Sequence, residues 1–320
     1  MNYLVTGSSG FIWFHVSKYL LEKGEMVIWF DNENDYYDIN LKKGRREILE
    51  IYPNFVFVQW DLANKSDLER IFLNHKIDKI CNLWAQAGVR YSIENPDVYI
   101  QSNIVWFANI MELAKIYKVN KVVYASSSSV YGNNEKQPSS TIDNVDTPIS
   151  LYAATKKANE LIAHSYSHLF GISTVWLRFF TVYGPRGRPD MAYFGFLDKL
   201  YNNQNISIYW WWILERDFTY IDDIVDGILK ALEYTNPENY SIFNLWNDTP
   251  TTVNTLVETL EKLTGKVFIK EYLPMQAGDV NKIRADISDT KEKLWWSPKT
   301  KLEDWLKVFV DWYKSFYHID

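Results

Sequence analysis

Residues 2–23, NYLVTGSSGFIWFHVSKYLLEK, run from a short apolar segment through a turn holding Gly7 and Gly10 into a helical pattern. A strand that enters a helix through two glycines leaves backbone N–H groups and the positive end of the helix dipole facing outward together, which suits a pyrophosphate. Asp31 ends the next apolar run, MVIWFD. A carboxylate at that remove accepts both hydroxyls of a ribose and repels a 2′-phosphate, so the pattern favours NAD over NADP. Asp61, in QWDL, suits either the adenine side of such a site or a helix N-cap.

The same alternation continues along the first half of the chain. Strands are expected at 2–6, 26–31, 55–59, 78–83, 121–126 and 173–179, with helices at 11–23, 66–75, 97–118 and 150–170. The strands are apolar along most of their length, as when helices cover both faces of a parallel sheet. After Gly184 the pattern loosens into YGPRGRPD and shorter, mixed segments, with helices expected at 222–234 and 251–264. The predicted fold is α/β: a Rossmann-type doubly wound parallel sheet over 1–183, and a smaller mixed α/β lobe over 184–320 closing on the carboxyl edge of the strands.

Charge and composition exclude several functions. The net charge of −6 and the lack of any basic run speak against a nucleic-acid surface. Nowhere do some 18 apolar residues run uninterrupted, and the chain opens on a strand-like run with no leader, so no membrane placement is expected and the cytoplasm is. A single cysteine, Cys81, fits a reducing compartment and reads as a small buried hydrophobe. His164 and His168 share a helix face without a third ligand, so no metal is expected.

Two further motifs carry chemistry. Tyr152 and Lys156, in SLYAATKKANE, are spaced to project from one helix face, where an ammonium favours phenolate. The serine run at 126–129 ends a strand at its carboxyl edge, where a hydroxyl meets a substrate oxygen.

Together Gly7, Gly10, Asp31, the serine run and Tyr152/Lys156 resemble the extended short-chain dehydrogenase/reductase family along nearly the whole chain. Within it the stretches DNENDYYD, AQAGVRYSIENP, SLYAATKKANELIAHSYSHL, LRFFTVYGPRGRPDMAYF and RDFTYIDDI are similar to UDP-glucuronate 4-epimerases. The resemblance implies Ser127, Tyr152 and Lys156 as the catalytic set, and NAD held also by Phe11, Ile12, Asn32, Asp61, Leu62 and Ala85. It further implies a UDP-sugar held by Arg90, Ser128, Thr181, Arg188, Arg216 and Asp279, with Thr181 and Arg188 on the sugar carboxylate. A homodimer built from the helices near 97–118 and 150–170 is the family habit. Neutral UDP-glucose 4-epimerisation is the sister reading, and a non-catalytic NAD-binding protein the alternative of another class. A 4,6-dehydratase would need an acidic pair where Ser128 and Ser129 stand.

Against that pattern stand Arg284, where an aromatic side chain is usual, and the tryptophans. Tryptophan occurs 14 times and glycine only 13 times, an excess and a deficit of similar size. Trp13 stands where a third glycine lets the helix approach the strand. Trp29, Trp60, Trp106, Trp176, Trp246, Trp295 and Trp305 also fall where that family has or accepts glycine. Trp210, Trp211 and Trp212 crowd a turn expected to be small and polar, and Trp84 takes a small-residue place beside the cofactor. The expectation is that these twelve, though not Trp296 and Trp312, are glycines encoded by UGA, a codon read as tryptophan in one variant genetic code and as glycine in another.

Overall fold

The computed structural model describes residues 1–7, 10–31, 37–59, 65–209, 215–273 and 284–319, with backbone alone for Gln59, Tyr209, Glu215 and Arg216. The first half follows the expected alternation: β1 (Asn2–Thr6), α1 (Phe11–Glu22), β2 (Met26–Asp31), α2 (Ile39–Glu50), β3 (Phe55–Gln59), α3 (Lys65–Asn74) and β4 (Lys79–Asn82). Next come short α4 (Tyr91–Glu94) and α5 (Pro96–Tyr99), then a π-helical stretch (Ile100–Val105) leading into α6 (Trp106–Ile116). β5 (Lys121–Ser127), a 3-10 turn (Ser128–Tyr131), α7 (Leu151–Phe170) and β6 (Ser173–Phe179) complete that half.

The later elements are β7 (Thr181–Tyr183), α8 (Ala192–Tyr201), β8 (Ile206–Tyr209), β9 (Glu215–Arg216), β10 (Phe218–Tyr220), α9 (Ile221–Glu233) and β11 (Tyr240–Leu245). They end with β12 (Thr251–Thr252), α10 (Val253–Thr264), β13 (Lys270–Leu273), α11 (Ser288–Leu294) and α12 (Leu302–Tyr317).

Seven strands form one parallel sheet in the order β11-β6-β5-β4-β1-β2-β3. Strands on either side of β1 are added in opposite directions, so a crevice opens at the carboxyl end of β1 where loops part. The last strand, β11, comes from beyond residue 184, so the chain returns to the sheet after leaving it. Helix cores lie on both faces, one around Val5, Val123 and Leu177, the other around Leu4, Ile28 and Ile110.

Local sequence explains the helix that matters most. Ser150 caps α7 by accepting the Ala153 N–H at 3.1 Å, and Gly171 ends it in the left-handed region at φ 68°. The expected helix at 97–118 is instead three pieces joined end to end, because the π turn inserts an extra residue. No described helix is long and apolar enough to cross a membrane.

Candidate active site

A cavity of about 370 Å³ opens at the carboxyl edge of the sheet. The ends of β1, β2 and β5 deliver Gly7, Asp31, Ser127 and Ser128 to it, and α1 adds Gly10, Phe11 and Ile12. Ala85 follows β4, Tyr152 and Lys156 come from α7, and Thr181 and Arg188 from the chain after β6; all line the same cavity. Arg90 does not: it is exposed at the start of α4 and absent from the described lining. Asn32, Asp61, Leu62 and Asp279 lie outside the described residues, as do Trp60, Trp210, Trp211 and Trp212. The backbone of Arg216 pairs with Thr251 across β9 and β12.

Ser127 ends β5 and accepts the Ser129 N–H at 3.2 Å, which fixes its rotamer at the mouth of the 3-10 turn. Tyr152 sits in the first turn of α7. Burial raises its phenol above the ordinary tyrosine value, while the facing Ser127 hydroxyl and the charge of Arg188 pull it down. The Lys156 ammonium stands over the Tyr152 ring and is fixed there by acceptors on β5. The Lys156 ammonium donates to the Ala125 carbonyl at 2.7 Å and the Tyr124 hydroxyl at 3.1 Å, and lies 5.9 Å from the centre of the Tyr152 ring. A buried ammonium turns to whatever acceptors are nearest, here a strand carbonyl. Only 2% exposed, Lys156 is pulled down to about 7 by burial, against which Glu160 pushes back.

Glu160, one turn beyond Lys156, forms a feature the sequence reading passed over. Both its oxygens are held by Arg178 of β6, at 2.9 and 2.8 Å, and one also accepts from Ser126 at 2.7 Å, with both charged side chains 1% exposed. Its spacing from Lys156 was the available signal. Asn103 in the π turn was likewise passed over. It exchanges hydrogen bonds with the Gln86 backbone at 2.8 and 3.2 Å and donates to Thr155 at 3.0 Å, joining the segment after β4 to α7.

Arg188 reaches the cavity from a tight turn and grips Asp190, Nε to Oδ1 at 3.0 Å and Nη2 to Oδ2. The expected carboxylate clamp therefore already holds a carboxylate of the chain itself.

The fit to a dinucleotide is uneven. Asp31 stands buried at the end of β2, and the N-terminus of α1 carries no side-chain cap, both as a nucleotide requires. The Gly7–Gly10 turn does not fit. A Cβ placed on Gly10 would lie 2.5 Å from Nε1 of Trp13 and overlap its Cδ1, and one on Gly7 would lie 2.9 Å from the same nitrogen. The indole leans on the bare backbone that a pyrophosphate would approach.

Residues 3–245 match the model of the NAD dependent epimerase/dehydratase family. The UDP-glucuronate 4-epimerase of Thermodesulfobacterium geofontis is 44% identical over 314 residues, 98% of this chain and 96% of that protein. The crystal structure of UDP-glucuronic acid 4-epimerase from Bacillus cereus, in complex with UDP-glucuronic acid and NAD, superposes with a TM-score of 0.92 at 34% identity, covering 99% of this chain and 100% of that one. The UDP-glucose 4-epimerase of Thermotoga maritima superposes at 0.89 with 31% identity, over 99% and 100%.

Proposed function

The chain belongs to the NAD dependent epimerase/dehydratase family, and we propose that within it the protein is a UDP-sugar 4-epimerase interconverting UDP-glucuronate and UDP-galacturonate. The observation that carries this reading is one cavity holding the Ser127 and Tyr152 hydroxyls together with the Arg188 guanidinium.

Tyr152 as phenolate takes the proton from the sugar C4 hydroxyl, with Ser127 sharing that proton. Bringing a phenol from about 10 to about 7 needs roughly 4 kcal/mol of differential stabilisation. Burial opposes it, so the Ser127 hydrogen bond and the Arg188 charge must be joined by further positive charge in the loaded site. NAD, when bound, supplies the hydride acceptor at C4. Asp31 would hold its ribose and Ala85 its nicotinamide side, Gly7, Gly10, Phe11 and Ile12 would hold its diphosphate once the Trp13 indole is off the turn, and Lys156 anchors the floor through Ala125. After the 4-keto sugar turns about its diphosphate link, Tyr152 would return the proton to the C4 oxygen while the hydride is given back to C4 on its other face.

Arg188 would select a uronic acid by bidentate pairing, with Thr181 beside it; Ser128 would contact the sugar, Arg216 the diphosphate and Asp279 the uridine. The region 1–183 would serve NAD and 184–320 mainly the UDP-sugar. A homodimer formed through α6 and α7 is proposed, supported by the exposed Ile116, Leu161 and Leu169 on these helices; so is a cytoplasmic location, supported by the buried, unpaired Cys81. Neutral UDP-glucose is the second reading, favoured by the Arg188–Asp190 pair, which leaves a neutral sugar nothing to displace. Turnover of the two substrates by the protein and by R188A decides. Loss confined to UDP-glucuronate supports the first reading, and preference for UDP-glucose with an indifferent R188A overturns it.

A further inference from the structure

Several misfits meet on tryptophans, although buried polar atoms without a partner and left-handed non-glycine residues also occur elsewhere among the described residues. Trp13 covers the glycine turn, as described. Trp84 lines the same cavity, and its buried indole N–H finds no acceptor. Trp29, Trp106 and Trp176 are fully buried on β2, α6 and β6, each with an indole N–H that has no partner. An indole so deeply buried ordinarily finds one. Trp295 closes α11 in the left-handed region at φ 52° and is 85% exposed, a helix end that belongs to glycine.

The other indoles among the described residues behave differently. Trp296, beside Trp295, is buried and donates to the Asp223 carbonyl at 2.8 Å. Trp246 donates to the Arg178 carbonyl at 2.7 Å, and Trp305 stacks on Tyr220 at 4.3 Å, so neither carries a mark of misplacement despite the sequence expectation. Trp312 shares the unpartnered N–H but is only half-buried, against Phe309 and Phe316.

We infer that the working enzyme carries glycine rather than tryptophan at positions 13, 29, 84, 106, 176 and 295, the six codons being UGA in a lineage that reads it as glycine. Glycine at 13 uncovers the Gly7–Gly10 turn, and glycine at 295 suits the left-handed helix end without strain. The three core positions then let β2, α6 and β6 pack closer than an indole permits.

Peptide sequencing by mass spectrometry of the protein from its own cells tests this without reference to catalysis. Glycine is expected at position 13 in the peptide spanning residues 1–18, and at the other five, with tryptophan kept at Trp296. Tryptophan at position 13, or UGG in its codon, overturns the inference. A second arm, resting on the proposed function, compares NAD binding by the tryptophan form and by a form with W13G, W29G, W84G, W106G, W176G and W295G made together, so that no single cavity is left in an unchanged core. The glycine form is expected to bind NAD at least about tenfold more tightly and to melt at a higher temperature. Equal affinity and melting would overturn the claim that the indole at position 13 obstructs the Gly7–Gly10 turn. Failure of both forms to bind NAD while the peptides show glycine would count against the proposed function alone.

On the far side of the cavity, α2 carries a guanidinium with an unusual task. Arg45 is completely buried; its Nε and Nη2 donate to the Arg186 carbonyl at 3.1 and 2.6 Å, Nη2 also to Gly187 O at 3.1 Å, and Nη1 to the Tyr37 hydroxyl at 2.7 Å. Those carbonyls immediately precede Arg188. Arg186 is itself held at φ 61°, and His15 of α1 meets the Pro185 carbonyl at 3.1 Å. The geometry points to Arg45 as the positioning residue that aims Arg188 at an acidic substrate group. This rests on the proposed function, and is read from R45A and R45K with both UDP-glucuronate and UDP-glucose. R45A is expected to raise KM for UDP-glucuronate about fivefold or more, to change kcat less than about twofold, and to leave UDP-glucose unaffected, with R45K recovering part of the loss. Equal losses on both sugars, or a fall in kcat alone, overturn it. Absence of turnover with either sugar in the parent protein would instead defeat the functional reading.

Discussion

The two ends of the cavity are built to different standards. At the catalytic end the principal polar groups are held: Glu160 by Arg178 and Ser126, Lys156 by Ala125 and Tyr124, and Ser127 by the turn that follows it. At the phosphate end an indole rests against two glycines and a second buried indole lacks a partner. The contrast teaches that side-chain chemistry survives an exchange of residues that backbone chemistry does not. Tyrosine, lysine and serine act through their own atoms, whereas a glycine turn acts by having none.

The sharpest way to break this comparison is Y152F in the glycine form. Inversion at C4 is expected to fall by about 10²–10⁴-fold with NAD binding kept, measured by interconversion of the two UDP-sugars; undiminished inversion would mean that the well-ordered end is not the reacting end. Next, E160A removes one member of a buried ion pair and strands Arg178. A loss of about 3–5 kcal/mol in denaturant unfolding is expected, and a loss near zero would dissolve the claim that this end is tightly built.

Smaller effects sharpen the contrast. Lys156 titrates near 7 in the folded chain and at about 10.4 when unfolded, so between those values the unfolded chain binds the additional proton and stability rises with pH. The cost of burying the ammonium is complete below about pH 7 and fades toward pH 10. K156M, which has no such cost, should therefore lead the parent in stability at pH 7, a lead shrinking by up to about 1.4 kcal/mol per unit as pH rises. A constant difference from pH 7 to 10 would exclude a buried, titrating ammonium. The smallest effect is expected of D190N. Freeing Arg188 from a partly exposed pair, worth about 0–1 kcal/mol, should lower KM for UDP-glucuronate up to about fivefold and leave UDP-glucose unchanged.

Much of the fold was legible because parallel strands buried on both faces must be apolar, and because α1 and α7 begin at a recognisable Gly10 and Ser150. β1 and β3 fall at 2–6 and 55–59 as expected, and the Tyr152–Lys156 spacing leads directly to the cavity. α2 was not anticipated, since INLKKGRREILE reads as a charged surface until Arg45 is seen to reach inward. The return of β11 to the sheet is a long-range pairing that no local pattern announces. The acceptors of the Lys156 ammonium were not legible for a related reason: spacing along a helix places a side chain on a face and is silent about which acceptor on the neighbouring strand it finds.

The π turn at Ile100–Val105 sets a rule about chain length. Asn103 touches the Gln86 backbone and Thr155 only because the wide turn holds one residue more than an α-helix would. Deleting a single residue there would restore the regular spiral and take Asn103 off the position from which it meets Gln86 and Thr155. The tie between the segment after β4 and α7 would part even with every side chain unchanged, so this region should accept substitutions far more readily than it accepts a gap.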